Sequence, residues 1–434
     1  FRRARDMLAP ATLPLTSTPL KLKALEKAAK AVGARVERVP LHIAFEPVVN
    51  AAGVSQPACI ECGDCLGGCN VGAKTTVHAT YLADAVNHGA SLFTHSEVRY
   101  VERAAADGWR VTFHRLDDAA SSMPMRRVTA RMLVIAAGTL GTNEILLRSR
   151  ERGLPLSDQL GKRVSTNADA IAFGYNNDER INAVGTGARR GRAPAVGPAV
   201  AGLVDVRASN GLAIVEAAVQ SAMAPVLPLA MSAGAVLGSD SDRGLRDRLD
   251  EFGRMAESLV GGSGKGAVAN TQVFLAIGHD SASGEIVLDR DRARIVWPGA
   301  AKEPVYPRIE ETLKSLVAAT GGTYVPNPVT KRLLGGNLFT VHPLGGAAMS
   351  DAVAQGVIDH RCRVFDPTTD GAVHPGLYVM DGSVMPRSLG VHPLLTITAL
   401  AERAMLLFAR DQGLKLDVAP KADAPRRDLV VTTA

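Results

Sequence analysis

The chain has 434 residues, 46% of them hydrophobic and 21% charged. This excludes a disordered chain and predicts a large core, with length enough for two domains. The net charge of +6 is dispersed. Its densest run, Arg189-Arg190-Gly191-Arg192, has no aromatic neighbours, so a solvated loop is expected rather than a nucleic-acid surface. No stretch reaches roughly 18 consecutive apolar residues, so no spanning helix is expected.

In chain order, Thr18 and Pro19 read as an N-cap and first-turn proline. Leu22, Leu25, Ala29 and Val32 follow at helical spacing, and Gly33 ends the helix. A cysteine-rich loop comes next, then a helix over about Thr80 to His88. "SLFTHSEVRYVERA" and "WRVTFHRL" read as strands. Met132–Ala137 is predicted as a buried strand, turned by Gly138 and Gly141 into a helix from Thr142 to about Arg150. Such a strand–glycine turn–helix points backbone N–H groups at a phosphate or a ring. From Ala168 to Asn327, short β-like runs alternate with turns, predicting an inserted antiparallel sheet. One helix there carries Ile309, Leu313, Leu316 and Val317 on one face. A strand in "GLYVMDGSVMP" and a helix in "TITALAERAMLLFARDQG" restore α/β character, and the residues from Lys421 read as a tail.

Four of the five cysteines, Cys59, Cys62, Cys65 and Cys69, are spaced C-x2-C-x2-C-x3-C, as in an iron–sulfur ferredoxin loop. Clustered so tightly, they exclude the disulfide framework of a small secreted domain and suit a reducing compartment, so a cytoplasmic location is expected.

A second pattern occurs twice. His342 in "VHPLGG" and His392 in "VHPLLT" each precede a proline, which holds the backbone extended and aims the ring. Two histidines so held suit proton abstraction near neutral pH and hydrogen bonding to a substrate oxygen. Two unrelated turn histidines would give the same pattern. Glu216 lies in the apolar run "GLAIVEAAV", where a lone acid is costly unless paired or functional. Beside it, the uncharged run Ala217–Ser239 reads as a pocket wall, a surface resting on a membrane to collect substrate, or plain core.

Five blocks, "CIECGDCLGGCNVGAK", "TYLADAVNHGA", "VIAAGTLGTNEILLRS", "VHPLGGAAM" and "GLYVMDGSVMPRSLGVHPLLTITALAER", occur in that order over residues 59 to 405. Together they resemble the glucose–methanol–choline (GMC) family of FAD-dependent oxidoreductases, in its cholesterol-oxidase-like bacterial branch. The resemblance implies an α/β fold: an FAD-binding Rossmann-like domain, incomplete at the N-terminus, with an inserted substrate domain on an antiparallel sheet. The expected divisions are 1–167 and 329–415 for the FAD-binding domain, 168–328 for the substrate domain and 416–434 for the tail.

The implied activity is oxidation of the CH–OH group of a hydrophobic, sterol-like alcohol by hydride transfer to the flavin, with oxygen or another acceptor. His342 would be the base, His392 the partner holding the hydroxyl, and Glu216 a mover of protons. Histidine at 392, where sterol-oxidising relatives commonly have asparagine, sets this chain nearer the wider family. FAD contacts would come from Val98, Ala137, Gly138, Gly141, Asp381, Gly382, Ser383, His392, Pro393 and Leu394, while Asn167 marks the crossover into the substrate domain. No G-x-G-x-x-G occurs and the chain starts on Phe1, which predicts that the first βαβ unit is missing and that a signal peptide is unobservable.

Within this resemblance the cysteine loop has two readings. One is an iron–sulfur cluster passing electrons to an acceptor other than oxygen. The other is a compact glycine–cysteine loop packed near the flavin. Asn70 in place of the ferredoxin proline, and the lack of a second cysteine set, favour the packed loop. A non-catalytic binding protein is a third alternative, opposed by the intact histidine pair.

Overall fold

The computed structural model describes residues 1–104, 108–117, 124–187, 194–236, 238–241, 244–327, 338–369 and 371–416. The basic run at 189–192 and most of the tail lie outside them.

The largest sheet has seven strands, every pairing antiparallel. Across it run Ser239–Asp240, Thr323–Pro326, Ala170–Tyr175, Gln272–Ile277, Leu212–Ala217, Gly202–Val206 and Val36–Arg38. Strand residues alternate between faces. Ala172, Val204, Ile214 and Phe274 face one way and are buried against Leu25, Ala28 and Ala29 of helix Leu20–Ala31 and against Ile309, Leu313, Leu316 and Val317 of helix Val305–Ala318. The four apolar positions expected to share a face of the second helix are therefore its buried stripe. Burying one such side chain fully is worth about 1.5–3 kcal/mol relative to leaving it exposed.

A second body is built on a parallel pair, Leu133–Ile135 beside Val373–Val379, extended by Arg363–Phe365. Helix Gly138–Glu151 leaves the first of these strands through Gly138, whose φ of 75° an L side chain rarely adopts. The helix starts four residues before the expected Thr142, because Thr142 is already inside it. Its Ile145, Leu146 and Leu147 join Trp109, Ile135, Val364, Leu377 and Val379 in one core. An antiparallel meander, Ser96–Ala104, Gly108–Arg115 and Arg126–Ala130, covers this core.

Two segments cross the expected divisions. Helix Leu20–Ala31 and strand Val36–Arg38 belong by packing to the seven-stranded sheet, although they lie within 1–167. In the other direction, Ile286 of hairpin Glu285–Asp289/Arg292–Val296 is buried in the core of helix Gly138–Glu151. Apolar periodicity marks which residues are buried, not which sheet receives them. No helix among the described residues is long and apolar enough to cross a membrane.

Candidate active site

The two His-Pro turns meet. The rings of His342 and His392 lie edge to face with centroids 5.1 Å apart. They are 50 residues apart in sequence, and separate tethers bring them together.

His342 is held by Asp169, which immediately precedes strand Ala170–Tyr175 of the seven-stranded sheet. The Asp169 carboxylate is wholly buried. One oxygen accepts from the backbone N–H of Val341 (2.8 Å) and His342 (2.9 Å) and from the Thr340 hydroxyl (3.0 Å). The other accepts from His342 Nδ1 at 2.9 Å. A carboxylate can only accept, so Nδ1 carries the hydrogen and Nε2 is left with a free lone pair. This is the arrangement in which an acid orients a histidine and stabilises its protonated form.

His392 is held through Asn167. The Asn167 amide donates to Val391 O at 2.9 Å, and its oxygen accepts from Leu389 N (2.9 Å) and Gly390 N (3.0 Å). Asn167 and Ala168 both have positive φ, 55° and 48°. For Ala168, fully buried, this is a strained conformation of the kind that gathers at functional sites. Asp280 stabilises the turn by accepting from Thr166 N and Oγ1 and from Ala168 N.

Crowding by protein atoms, followed by the neighbouring His342, lowers the His392 pKa from 6.5 to about 4. The residue is nonetheless exposed, so water screens much of this effect and its direction is what counts. The direction sets a prediction. In the interval between the folded and unfolded pKa values, only the unfolded chain takes up this proton. The stabilisation is therefore complete above about pH 6.5 and is lost as pH falls toward 4. By NMR, the His392 ring should titrate below pH 6.5, and the acid slope of Tm should be shallower in His392→Asn.

The third wall comes from the glycine turn and the strand end after Met380. Asp381 accepts from Gly138 N at 3.0 Å, from the Thr142 hydroxyl, and from Ser383 N at 2.8 Å. Its carboxylate thus sits at the N-terminus of helix Gly138–Glu151, where the helix dipole favours negative charge. Thr139 donates to Pro343 O at 2.7 Å, and Asn143 donates to Gly345 O at 3.1 Å. These bonds tie the helix start to the His342 turn. Neither Gly345 nor Gly346 has room for a side chain. A Cβ on Gly345 would meet the Arg163 carbonyl at 2.0 Å, and one on Gly346 the Asn143 amide at 2.2 Å.

Of the other expected cofactor residues, Ala137 and Gly138 are exposed with Leu140, and Leu394 is exposed beside His392 at the start of helix Leu394–Asp411. Gly141 is half-buried and Pro393 buried. Val98 is half-buried in its strand, next to a register shift. Asp381, Gly382 and Ser383 are buried. The Asp381 carboxylate points inward to Gly138 and Thr142.

Glu216 is not brought to the histidines. It shares a sheet face with Ile214, Phe274 and Ala172, the face covered by helix Leu20–Ala31. There its carboxylate meets Lys21 Nζ at 2.7 Å, both side chains being fully buried, and accepts from Ala201 N and Gly202 N at 2.8 Å each. A buried acid needs a partner or a function. Here it has a partner, and its bonds among the described residues are these structural ones.

Asp169, Asp280 and the anchoring use of Asn167 were not legible beforehand. A signal for Asp169 existed, because it is a lone acid at the head of the apolar run "AIAFGY", the same signature that singled out Glu216.

The sequence pattern of GMC oxidoreductases matches residues 13–167 and again 317–401. A cholesterol oxidase from Mycobacterium tuberculosis is 29% identical over 394 residues, 84% of this chain and 61% of that protein. A long-chain-alcohol oxidase from Arabidopsis thaliana is 25% identical over 417 residues, 87% of this chain and 48% of the relative. The chain therefore spans less than two thirds of the length of either protein. A solved FAD-dependent oxidoreductase from Chaetomium thermophilum superposes with a TM-score of 0.54 at 16% identity, covering 93% of this chain and 73% of that one, a likeness of fold. With both halves of the family pattern matched in order, this chain belongs to the GMC oxidoreductase family.

Proposed function

We propose that this chain carries the substrate-oxidising site of an FAD-dependent alcohol oxidoreductase acting on a hydrophobic, sterol-like or long-chain alcohol. The observation that carries the reading is the Asp169–His342 pair with His392 beside it. The free Nε2 of His342 takes the hydroxyl proton, and Asp169 stabilises the positive charge that forms. His392, kept neutral by its crowded surroundings, holds the hydroxyl oxygen. Bound FAD would supply the hydride acceptor.

The residues present fit the ring end of that cofactor. Nothing within 4 Å blocks the side of Gly138 where a Cβ would stand, and Ala137 before it and Leu394, two residues after His392, are exposed apolar groups. Ala137, Gly138, Gly141, Pro393 and Leu394 would line the cofactor, and Val98 would meet its adenine. Asp381, with Gly382 and Ser383, would act by holding the glycine turn in place.

Helices Leu227–Ala235 and Leu245–Gly261 support a hydrophobic substrate. Leu229, Phe252 and Val260 are 73%, 65% and 92% exposed. Apolar groups so placed suit contact with a lipid surface from which substrate is drawn.

Turnover of sterols, long-chain alcohols and sugars, each with oxygen and with an artificial acceptor, tests the proposal. Oxidation of a sterol or long-chain alcohol with FAD bound is the expected result. Turnover of sugars alone overturns the substrate class, and failure of every alcohol with FAD bound overturns the activity.

A further inference from the structure

The cysteine loop was left between an iron–sulfur cluster and simple packing, with its surroundings favouring packing. Its geometry points the other way. All four thiols are free, and they line one cavity together with Ile43 and Lys74. Eleven residues turn back on themselves through Glu61, Gly63 and Gly68, at φ 53°, 80° and 92°. At Gly63 a Cβ would lie 2.5 Å from a Val196 methyl, so the turn is also clamped against the substrate domain. Packing alone does not explain why four polarisable sulfurs line a common space.

Backbone N–H groups reach two of the sulfurs. Glu61 N donates to Cys59 Sγ at 3.3 Å, and Ala199 N donates to Cys65 Sγ at 3.4 Å. A thiol sulfur is a weak acceptor, whereas N–H groups aimed at sulfur are a means by which proteins hold and tune iron–sulfur clusters. Lys74 Nζ, bonded to Cys65 O at 3.1 Å, brings a positive charge to the same cavity. The acid that lines it is otherwise engaged: one Asp64 oxygen accepts from Gly187 N and the other from Ser221 N, both at 2.6 Å. The donor set is therefore four cysteines, which suits zinc or an iron–sulfur cluster.

Cysteine order separates these two. Structural zinc sites draw their cysteines as short C-x2–4-C pairs from two separate parts of the chain. The single C-x2-C-x2-C-x3-C run is the order of an iron–sulfur loop. We propose that Cys59, Cys62, Cys65 and Cys69 bind one iron–sulfur cluster. This goes beyond the alcohol-oxidising site and stands or falls separately from it.

The test is iron, zinc and acid-labile sulfide analysis of anaerobically purified protein, with EPR after dithionite reduction. Iron and sulfide in near-equal amounts and a reduced-state signal are expected. Cys62→Ser and Cys69→Ser should each lose most of the iron. Cys362→Ser, whose thiol is buried in the separate core around Leu377, should keep it. Should the serine variants fail to fold, alkylation of the unmutated protein decides. The four thiols should be protected until a chelator and oxidant strip the iron, then react. Zinc alone, no iron or sulfide after anaerobic reconstitution, or equal alkylation before and after stripping would overturn the proposal.

Discussion

Replacing His342 by alanine is expected to lower kcat by about 10²–10⁴-fold, the usual contribution of a positioned general base. The KM should change far less, because the residue acts on the proton in transit more than on the bound alcohol. The flavin spectrum and circular dichroism should be retained. Asp169→Asn separates orientation from charge. An amide keeps one acceptor oxygen for the turn at 340–342 but no longer favours an imidazolium at His342. The kcat should therefore fall while KM changes little, since the positive charge that forms at His342 during proton transfer loses its counter-charge. A carboxylate that only braced the loop would, when replaced, raise KM as well. Steady-state kinetics, with single-turnover flavin reduction to isolate the chemical step, reads both. Full turnover in His342→Ala would end the base assignment.

The second large effect concerns stability. Glu216→Ala is expected to destabilise the protein by about 3–5 kcal/mol, because it leaves the Lys21 ammonium buried without its partner. It also strands the N–H groups of Ala201 and Gly202. Lys21→Met should cost less. The carboxylate keeps both N–H donors, and methionine fills most of the vacated volume. Denaturant melts of the two single variants and the double variant measure the coupling. Glu216→Gln, which retains an acceptor for one of the two N–H groups, should destabilise less than alanine and turn over substrate normally per folded molecule. Altered products from folded Glu216→Gln would restore the proton-moving role first expected of this residue.

Much of the architecture was legible locally. The 3.6-residue spacing of Ile309, Leu313, Leu316 and Val317 marked a buried stripe because helix geometry places such positions on one face. The strand–glycine–helix at residues 133–151 was legible because Gly138 has a backbone conformation that other residues resist. The His-Pro repeats were visible for the same reason, since proline restricts the residue before it. The site's second layer was not legible. His342 and Asp169 are 173 residues apart, and Lys21 and Glu216 are 195 apart. No short pattern records which acid meets which base over such separations. The cost of burying an isolated acid flagged Glu216 correctly as unusual but could not tell an ion pair from a catalytic group, and it applied equally to Asp169.

By itself the amino-acid sequence determined the element types, the two proline-held histidines, the ferredoxin-like cysteine order and the family. These all depend on residues within a turn or two of one another, where sterics and periodicity act directly. Only the tertiary structure decided that Asp169 bonds His342 while Glu216 pairs with Lys21, and that Val36–Arg38 completes the substrate sheet. It alone brought four cysteines around one cavity with Asp64 otherwise bonded. Each of these depends on long-range packing, where register and alternation choose the face on which a side chain emerges and so the partner it meets.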